Sequence, residues 1–291
     1  MMPPTAAAVL SATVAMISFQ FGAALAKQLL PSLGAPGTTA LRLGLSALLL
    51  VVVQRPWRTT PSRTAWPWIL AYGVSLGAMN SVFYVALHRL PLGIAVAIEF
   101  VGPLGVAVWA SRRRQDYLWV GLAAVGLMLL LPIRAGSAAL DPIGVLCALA
   151  AGVGWALYIV FGQKAGQAHG PSASTWGLIV AALLTVPIGI LHAGAKLVDP
   201  AILPFGVGVA IFSSALPYTL EMVALRRLST KAFGTLMSFE PALAALAGVV
   251  LLHERLTLTQ WSAIAAIVVA SVGAVKGERP ELATERADFA P

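Results

Sequence analysis

Cysteine occurs once, at Cys147, in 291 residues. A lone thiol permits no intrachain disulfide and no multi-cysteine metal centre. Acidic side chains are also scarce, 11 against 19 Lys and Arg. Charged residues make up 10% of the chain, where soluble proteins carry about a quarter. No HExxH, Walker loop or Cys/His cluster occurs, and His253–Glu254 stands alone. These absences remove the constellations that metallohydrolases and nucleotide-driven machines need. No enzyme, no cofactor and no metal site are expected, and any transport must run on ion or substrate gradients.

What is present is hydrocarbon. Hydrophobic residues reach 59%, and mean hydropathy is +0.87. A spanning helix takes about 20 apolar residues. Runs of that kind are expected near 6–28, 36–54, 66–88, 92–110, 117–132, 142–162, 172–191, 203–225, 230–252 and 257–275. The alternating pattern of a β-barrel is absent. The expected fold class is an all-α membrane protein with ten transmembrane helices. No cleavable leader is expected, because the start lacks Lys and Arg and its apolar run is too long.

A net charge of +8 could suggest nucleic acid. The bases instead sit between apolar runs, so the expected partner is the lipid bilayer and no nucleic acid. Arg55, Arg58, Arg63, Arg112, Arg113, Arg114, Lys164, Arg226, Arg227, Lys231 and the tail bases fall in one set of alternate loops. The other set holds only Lys27, Arg89, Arg134, Lys196 and Arg255. The positive-inside bias then puts both termini in the cytoplasm. Residues 277–291 read as a disordered cytoplasmic tail.

The chain also matches itself. Ala86, Leu87, Arg89 and Leu90 align with Ala224, Leu225, Arg227 and Leu228, and Pro103 aligns with Pro241 at the same offset. Five helices in each half, 5–135 and 140–276, would insert the second half upside down. Such inverted repeats place the substrate site near the midplane between the halves. The first four helices of each half are expected to enclose a cavity, with the fifth and tenth outside it.

A few polar residues interrupt the apolar runs. Glu99 lies within LGIAVAIEFVGP, where a carboxylate at mid-bilayer costs roughly 2.5–3.5 kcal/mol on insertion scales. Pro103, four residues on, has no N–H for the Glu99 carbonyl. Acid and freed carbonyl share one helical level, on a face with Ala95 and Gly102 that is expected to line a polar pathway. Arg42 lies at the same depth on the second helix. Arg42 and Glu99 could neutralise one another as a structural pair. They could instead take the carboxylate and the ammonium of a zwitterionic amino acid. Asn80 and Tyr84 follow Gly73 and Gly77 on one face of the third helix, and Gln20 interrupts the first. Each could serve as interhelical glue or as a substrate contact. Glu221, on a face with Ser214 and Pro217, lies near Arg226 and Arg227 and suggests a gate or a structural pairing. Glu240 precedes Pro241 and is, after Glu99, the second candidate for proton coupling.

The stretches GAALAK (22–27), GAPGTTALRL (34–43), YGVSLGAMN (72–80), PLGIAVAIEFVGPL (91–104), SSALPYTLEMVALRRL (213–228) and FGTLMSFEPALAALAG (233–248) carry a resemblance. The chain resembles the bacterial threonine/homoserine exporters of the drug/metabolite transporter superfamily, with two EamA-type repeats. The resemblance implies a ten-helix inner-membrane carrier exporting small amino acids, homoserine and threonine among them, by proton antiport. The family's intramembrane polar residues map onto Arg42, Asn80, Glu99, Glu221 and Glu240. The rival readings are an exporter of the same fold for another metabolite or drug, and a membrane scaffold that moves no solute.

Overall fold

A computed structural model gives the fold and describes residues 4–109, 114–130, 140–228, 233 and 236–276. Among the described residues every regular element is helical. In chain order these are α1 (Pro4–Lys27), α2 (Leu30–Gln54), α3 (Trp66–Arg89), α4 (Leu92–Glu99), α5 (Val101–Trp109) and α6 (Arg114–Leu130). There follow α7 (Pro142–His169), α8 (Ala173–Ala193), α9 (Leu203–Ala210), α10 (Leu216–Leu225), α11 (Glu240–Leu252) and α12 (Leu258–Lys276). Arg112, Arg113, Arg134, Lys231 and the expected tail at 277–291 lie outside the described residues.

Among the described residues six stretches are long and apolar enough to cross a membrane: Ala6–Lys27, Leu30–Gln54, Trp66–Arg89, Pro142–His169, Ala173–Val198 and Leu203–Leu225. Shorter apolar helices occupy Leu92–Val106, Tyr117–Gly126, Glu240–Leu252 and Leu258–Ala270. Large apolar side chains point outward from the spans, Val53 at 73% and Leu191 at 89% exposure among them. In water such a surface would aggregate; against lipid it is the expected exterior.

Proline sets much of the local geometry. It occupies the first turn of α2, α3, α7, α9, α10 and α11, where its missing N–H costs nothing. Inside a long apolar run it breaks the rod instead. The run expected at 92–110 is two helices, α4 and α5, parted at Phe100 just before Pro103. The run at 203–225 carries a π-helical turn, Ile211–Ala215, ahead of Pro217. A 3-10 turn, Met237–Phe239, enters α11 ahead of Pro241. The helix expected to begin near 36 is preceded by a short helical turn from Leu30, and a kink at Gly34, φ 66, separates the two ahead of Pro36. The helix expected to end near 162 runs on to His169 and stops at Gly170, φ 79.

The helices pack across the chain rather than along it. The main contacts join α3 to α7 and to α8, α2 to α8, α6 to α12, α1 to α10 and α4 to α11. Each pairs a helix before residue 135 with one after residue 140. The closest approach lies where α5 crosses α7. A Cβ on Gly102 would sit 1.8 Å from the Gly152 carbonyl oxygen, and one on Gly152 would sit 2.5 Å from the Glu99 carbonyl oxygen. Only hydrogen fits at either position. The Gly102 position expected to line a polar pathway therefore faces the α7 backbone. The Glu99 carbonyl freed by Pro103 points at the same crossing, where Cα–H groups can reach it.

Candidate functional site

The packing leaves a small cavity between the helices. Its wall comes from six elements: Phe19 of α1, Met79 of α3, Glu99 of α4, Trp155 and Tyr158 of α7, Tyr218 and Glu221 of α10, and Glu240 of α11. Three carboxylates thus converge on one small space. They are 5%, 4% and 1% exposed for Glu99, Glu221 and Glu240 respectively. No lining residue is a base.

Each carboxylate has a different environment. Among the described residues the Glu99 side chain makes no hydrogen bond, although it interacts electrostatically with Arg42. Glu221 accepts a 2.5 Å hydrogen bond from the Tyr158 hydroxyl. Glu240 accepts from the Gln20 amide, whose own oxygen is buried without a partner. Glu240 interacts electrostatically with both Glu221 and Glu99, which links the three into one set.

Arg42 stands one layer behind this wall. It is fully buried, and no ion pair within 4.0 Å joins it to Glu99 among the described residues. Its guanidinium donates instead to the Ser213 carbonyl at 2.9 Å and to the Asn80 side-chain oxygen. It lies 4.7 Å from the Tyr84 ring centroid and 5.7 Å from that of Phe19, close enough for cation–π attraction. Asn80 also donates to the Leu76 carbonyl and the Tyr218 hydroxyl, both at 2.8 Å. Phe19 and Tyr218 therefore separate Arg42 and Asn80 from the cavity while touching both layers. Among the described residues the Arg42 Nε and the Tyr84 hydroxyl are buried without a hydrogen-bond partner.

The π turn explains how a charge is held here. Pro217 has no N–H for the Ser213 carbonyl, and Arg42 supplies one. Neighbouring carbonyls in the same turn are met in the same way. Ser18 of α1 donates to Phe212 at 2.7 Å, and Ser46 of α2 donates to Ala210 at 2.8 Å. A segment that would leave backbone acceptors unpaired is tied to α1 and α2 by side chains.

Every polar residue singled out from the sequence thus falls in one region, but in two layers. Glu99, Glu221 and Glu240 face the cavity; Arg42, Asn80, Gln20 and Tyr84 support it. Glu221 does not pair with Arg226, whose Nε donates to the Gly166 carbonyl at 3.1 Å. Sequence reasoning passed over Phe19, Met79, Trp155, Tyr158 and Tyr218. The available signal was Tyr scarcity: three of the five tyrosines, Tyr72, Tyr158 and Tyr218, form a chain with ring centroids 5.1 and 5.8 Å apart.

This chain is 50% identical to the threonine/homoserine exporter RhtA of Escherichia coli strain K12 over 276 residues, 95% of this chain and 94% of that protein. The EamA-like transporter family model matches residues 142–275. The chain belongs to the EamA-like transporter family. RhtA of Salmonella typhimurium strain LT2 is likewise 50% identical over 94% of this chain and 93% of its own. An uncharacterized transporter of Bacillus subtilis, YwfM, is 26% identical over 80% of this chain and 81% of its own. A crystal structure at 20% identity superposes over 93% of this chain and 97% of its own with a TM-score of 0.67, which shows the fold alone. Membership of the EamA-like transporter family makes this a membrane carrier of small molecules rather than an enzyme.

Proposed function

We propose that this chain is an inner-membrane secondary transporter that exports small amino acids, L-threonine and L-homoserine, by proton antiport with alternating access. The observation that carries the reading is 50% identity to RhtA across 95% of the chain, together with three buried carboxylates on one cavity. The substrate ammonium needs an anion, and Glu99 offers a carboxylate with no competing hydrogen bond. Protonation of Glu99, with Glu240 as the second coupling group, releases the ammonium; deprotonation restores the site. Arg42 and Asn80, with Gln20 and Tyr84, meet the substrate carboxylate as Phe19 and Tyr218 move aside.

The architecture in this reading is ten spans in two inverted five-helix repeats, 5–135 and 140–276, with both termini cytoplasmic. The packing supports it. Numbering the ten rods in order, the rods in contact include 1 with 8, 2 with 7, 3 with 6, 4 with 9 and 5 with 10, and also 3 with 7 and 2 with 8, and 4 with 6 and 1 with 9. Exchanging each rod with the one five places later returns the same set. The cavity wall, drawn from rods 1, 3, 4, 6, 8 and 9, is unchanged by the same exchange. An odd number of spans per repeat makes the two halves antiparallel in the bilayer.

The test is transport by protein reconstituted in liposomes. Wild type is expected to move labelled homoserine against an imposed proton gradient. Glu99→Gln is expected to insert and fold but to lose proton-driven flux. Normal coupling in that variant removes Glu99 from the mechanism, and no homoserine movement by wild type removes the substrate assignment.

A further inference from the structure

The cavity wall is chemically uneven. Phe19, Met79 and Trp155 offer hydrocarbon, which accepts a methyl group as readily as any other. Glu240 is already engaged by Gln20, and Glu99 is the carboxylate left open for an ammonium. The remaining polar feature is the pair Tyr158–Glu221, on α7 and α10. Both side chains are buried, 1% and 4% exposed, and the phenol donates to one carboxylate oxygen at 2.5 Å. The other Glu221 oxygen has no hydrogen-bond partner among the described residues, although a carboxylate can accept several donors. Glu221 lines the cavity, so a donor on a bound molecule can reach that oxygen.

We propose that Tyr158 and Glu221 read the side-chain hydroxyl of the substrate, so that hydroxyl-bearing amino acids are selected over alkyl amino acids of the same shape. The inference rests on the amino-acid export reading and adds the determinant of side-chain choice. A substrate hydroxyl donates to the open Glu221 oxygen, while the Tyr158 hydroxyl, donating to the other oxygen, holds the carboxylate in place. An alkyl side chain fills the same volume but leaves the pair without its partner. The apolar wall cannot supply that choice. Hydrophobic pockets separate such neighbours by about 10–200-fold, whereas sites that hydrogen-bond a hydroxyl reject its absence by about 10⁴-fold or more.

The experiment is counterflow of labelled homoserine in liposomes holding wild type, Tyr158→Phe or Glu221→Gln. The competitors are unlabelled homoserine and norvaline, in which a methyl replaces the hydroxyl. Wild type is expected to prefer homoserine by at least about tenfold, and each variant to lower that preference at least about threefold. If a variant cannot exchange, the same ratio is read from ligand-induced thermal shifts of the purified protein. A ratio near one in wild type, or one unchanged in both variants, overturns the inference while leaving amino-acid export standing. Absence of any homoserine exchange by wild type fails the export reading itself, and the inference falls with it.

Discussion

Arg42 of α2 donates a 2.9 Å hydrogen bond to the carbonyl of Ser213 in the π turn, an oxygen that Pro217 leaves without its intrahelical donor. A proline in one half of the chain thereby creates the acceptor for a buried cation in the other. The Asn80 oxygen, by contrast, also receives the Tyr218 hydroxyl, so loss of Arg42 orphans chiefly Ser213. Arg42→Met is expected to cost about 1–3 kcal/mol for that carbonyl, read as a lower melting temperature in detergent. Pro217→Ala restores an N–H at the right spacing. It is therefore expected to be about 1 kcal/mol more favourable in the Arg42→Met background than in wild type, as a double-mutant cycle would measure. Additivity of the two changes would show that Arg42 does not serve this carbonyl.

The α5–α7 crossing makes a second prediction. Gly102→Ala places a methyl 1.8 Å from the Gly152 carbonyl oxygen, against backbone that cannot rotate away. Overpacking of this kind costs about 1–3 kcal/mol or more. Because the crossing carries the Glu99 carbonyl, the helices must part where the cavity is built, and transport is expected to fall with stability. Gly105→Ala is the control: a Cβ there meets nothing within 4 Å. It is expected to be neutral or to stabilise by up to about 1 kcal/mol through helix propensity. Melting curves of the two variants should separate clearly.

The legibility of this site from sequence followed its chemistry. Glu99 and Glu240 stand out in the sequence because a charge inside an apolar run has few explanations, whereas the breaks ahead of Pro103 and Pro241 fall inside runs that the sequence presents as continuous. Which side chain would meet a freed carbonyl was not visible. Ser213 and Arg42 are 171 residues apart, and nothing local joins them. Glu221 was read against Arg226, close along one helix, yet its partner is Tyr158 across the helix pair. Trp155, Tyr158 and Tyr218 were passed over because an aromatic in an apolar run looks like core until the cavity beside it is seen. The pairing of rods across the halves was likewise beyond a single sequence, because helix surfaces rich in Ala and Gly fit many neighbours.

At one end of the bundle a single side chain ties three segments together. Glu254, in the turn after α11, accepts from Lys27 at the end of α1 at 2.8 Å and from the Leu92 N–H at the start of α4 at 3.0 Å. Lys27 also donates to the Leu90 carbonyl at 3.0 Å. Removing the acid loses both a helix cap and an ion-pair partner, whereas removing the base leaves the cap in place. Glu254→Ala is therefore expected to destabilise more than Lys27→Met. The difference should be about 0.5–2 kcal/mol, the usual range for an N-terminal cap. Equal melting temperatures for the two variants would mean that the cap contributes nothing.

The turn before α7 predicts a dependence on pH. The Arg89 guanidinium, 2.6 Å away, holds the Asp141 carboxyl below the ordinary carboxylate range, helped by the N–H groups of Ile143 and Gly144. A carboxyl lowered by folding lends stability above its unfolded value, and that stability is lost as pH falls through the folded value. The group is exposed, so the contribution is small and screened by salt. Asp141→Asn separates its two roles, since Asn caps a helix about as well as Asp but cannot ionise. Between about pH 6 and pH 3, where carboxylates titrate, the melting temperature of wild type is expected to fall more steeply than that of the variant. High salt should shrink the difference. Parallel curves would show that the Arg89–Asp141 contact holds the α3–α7 corner through shape alone.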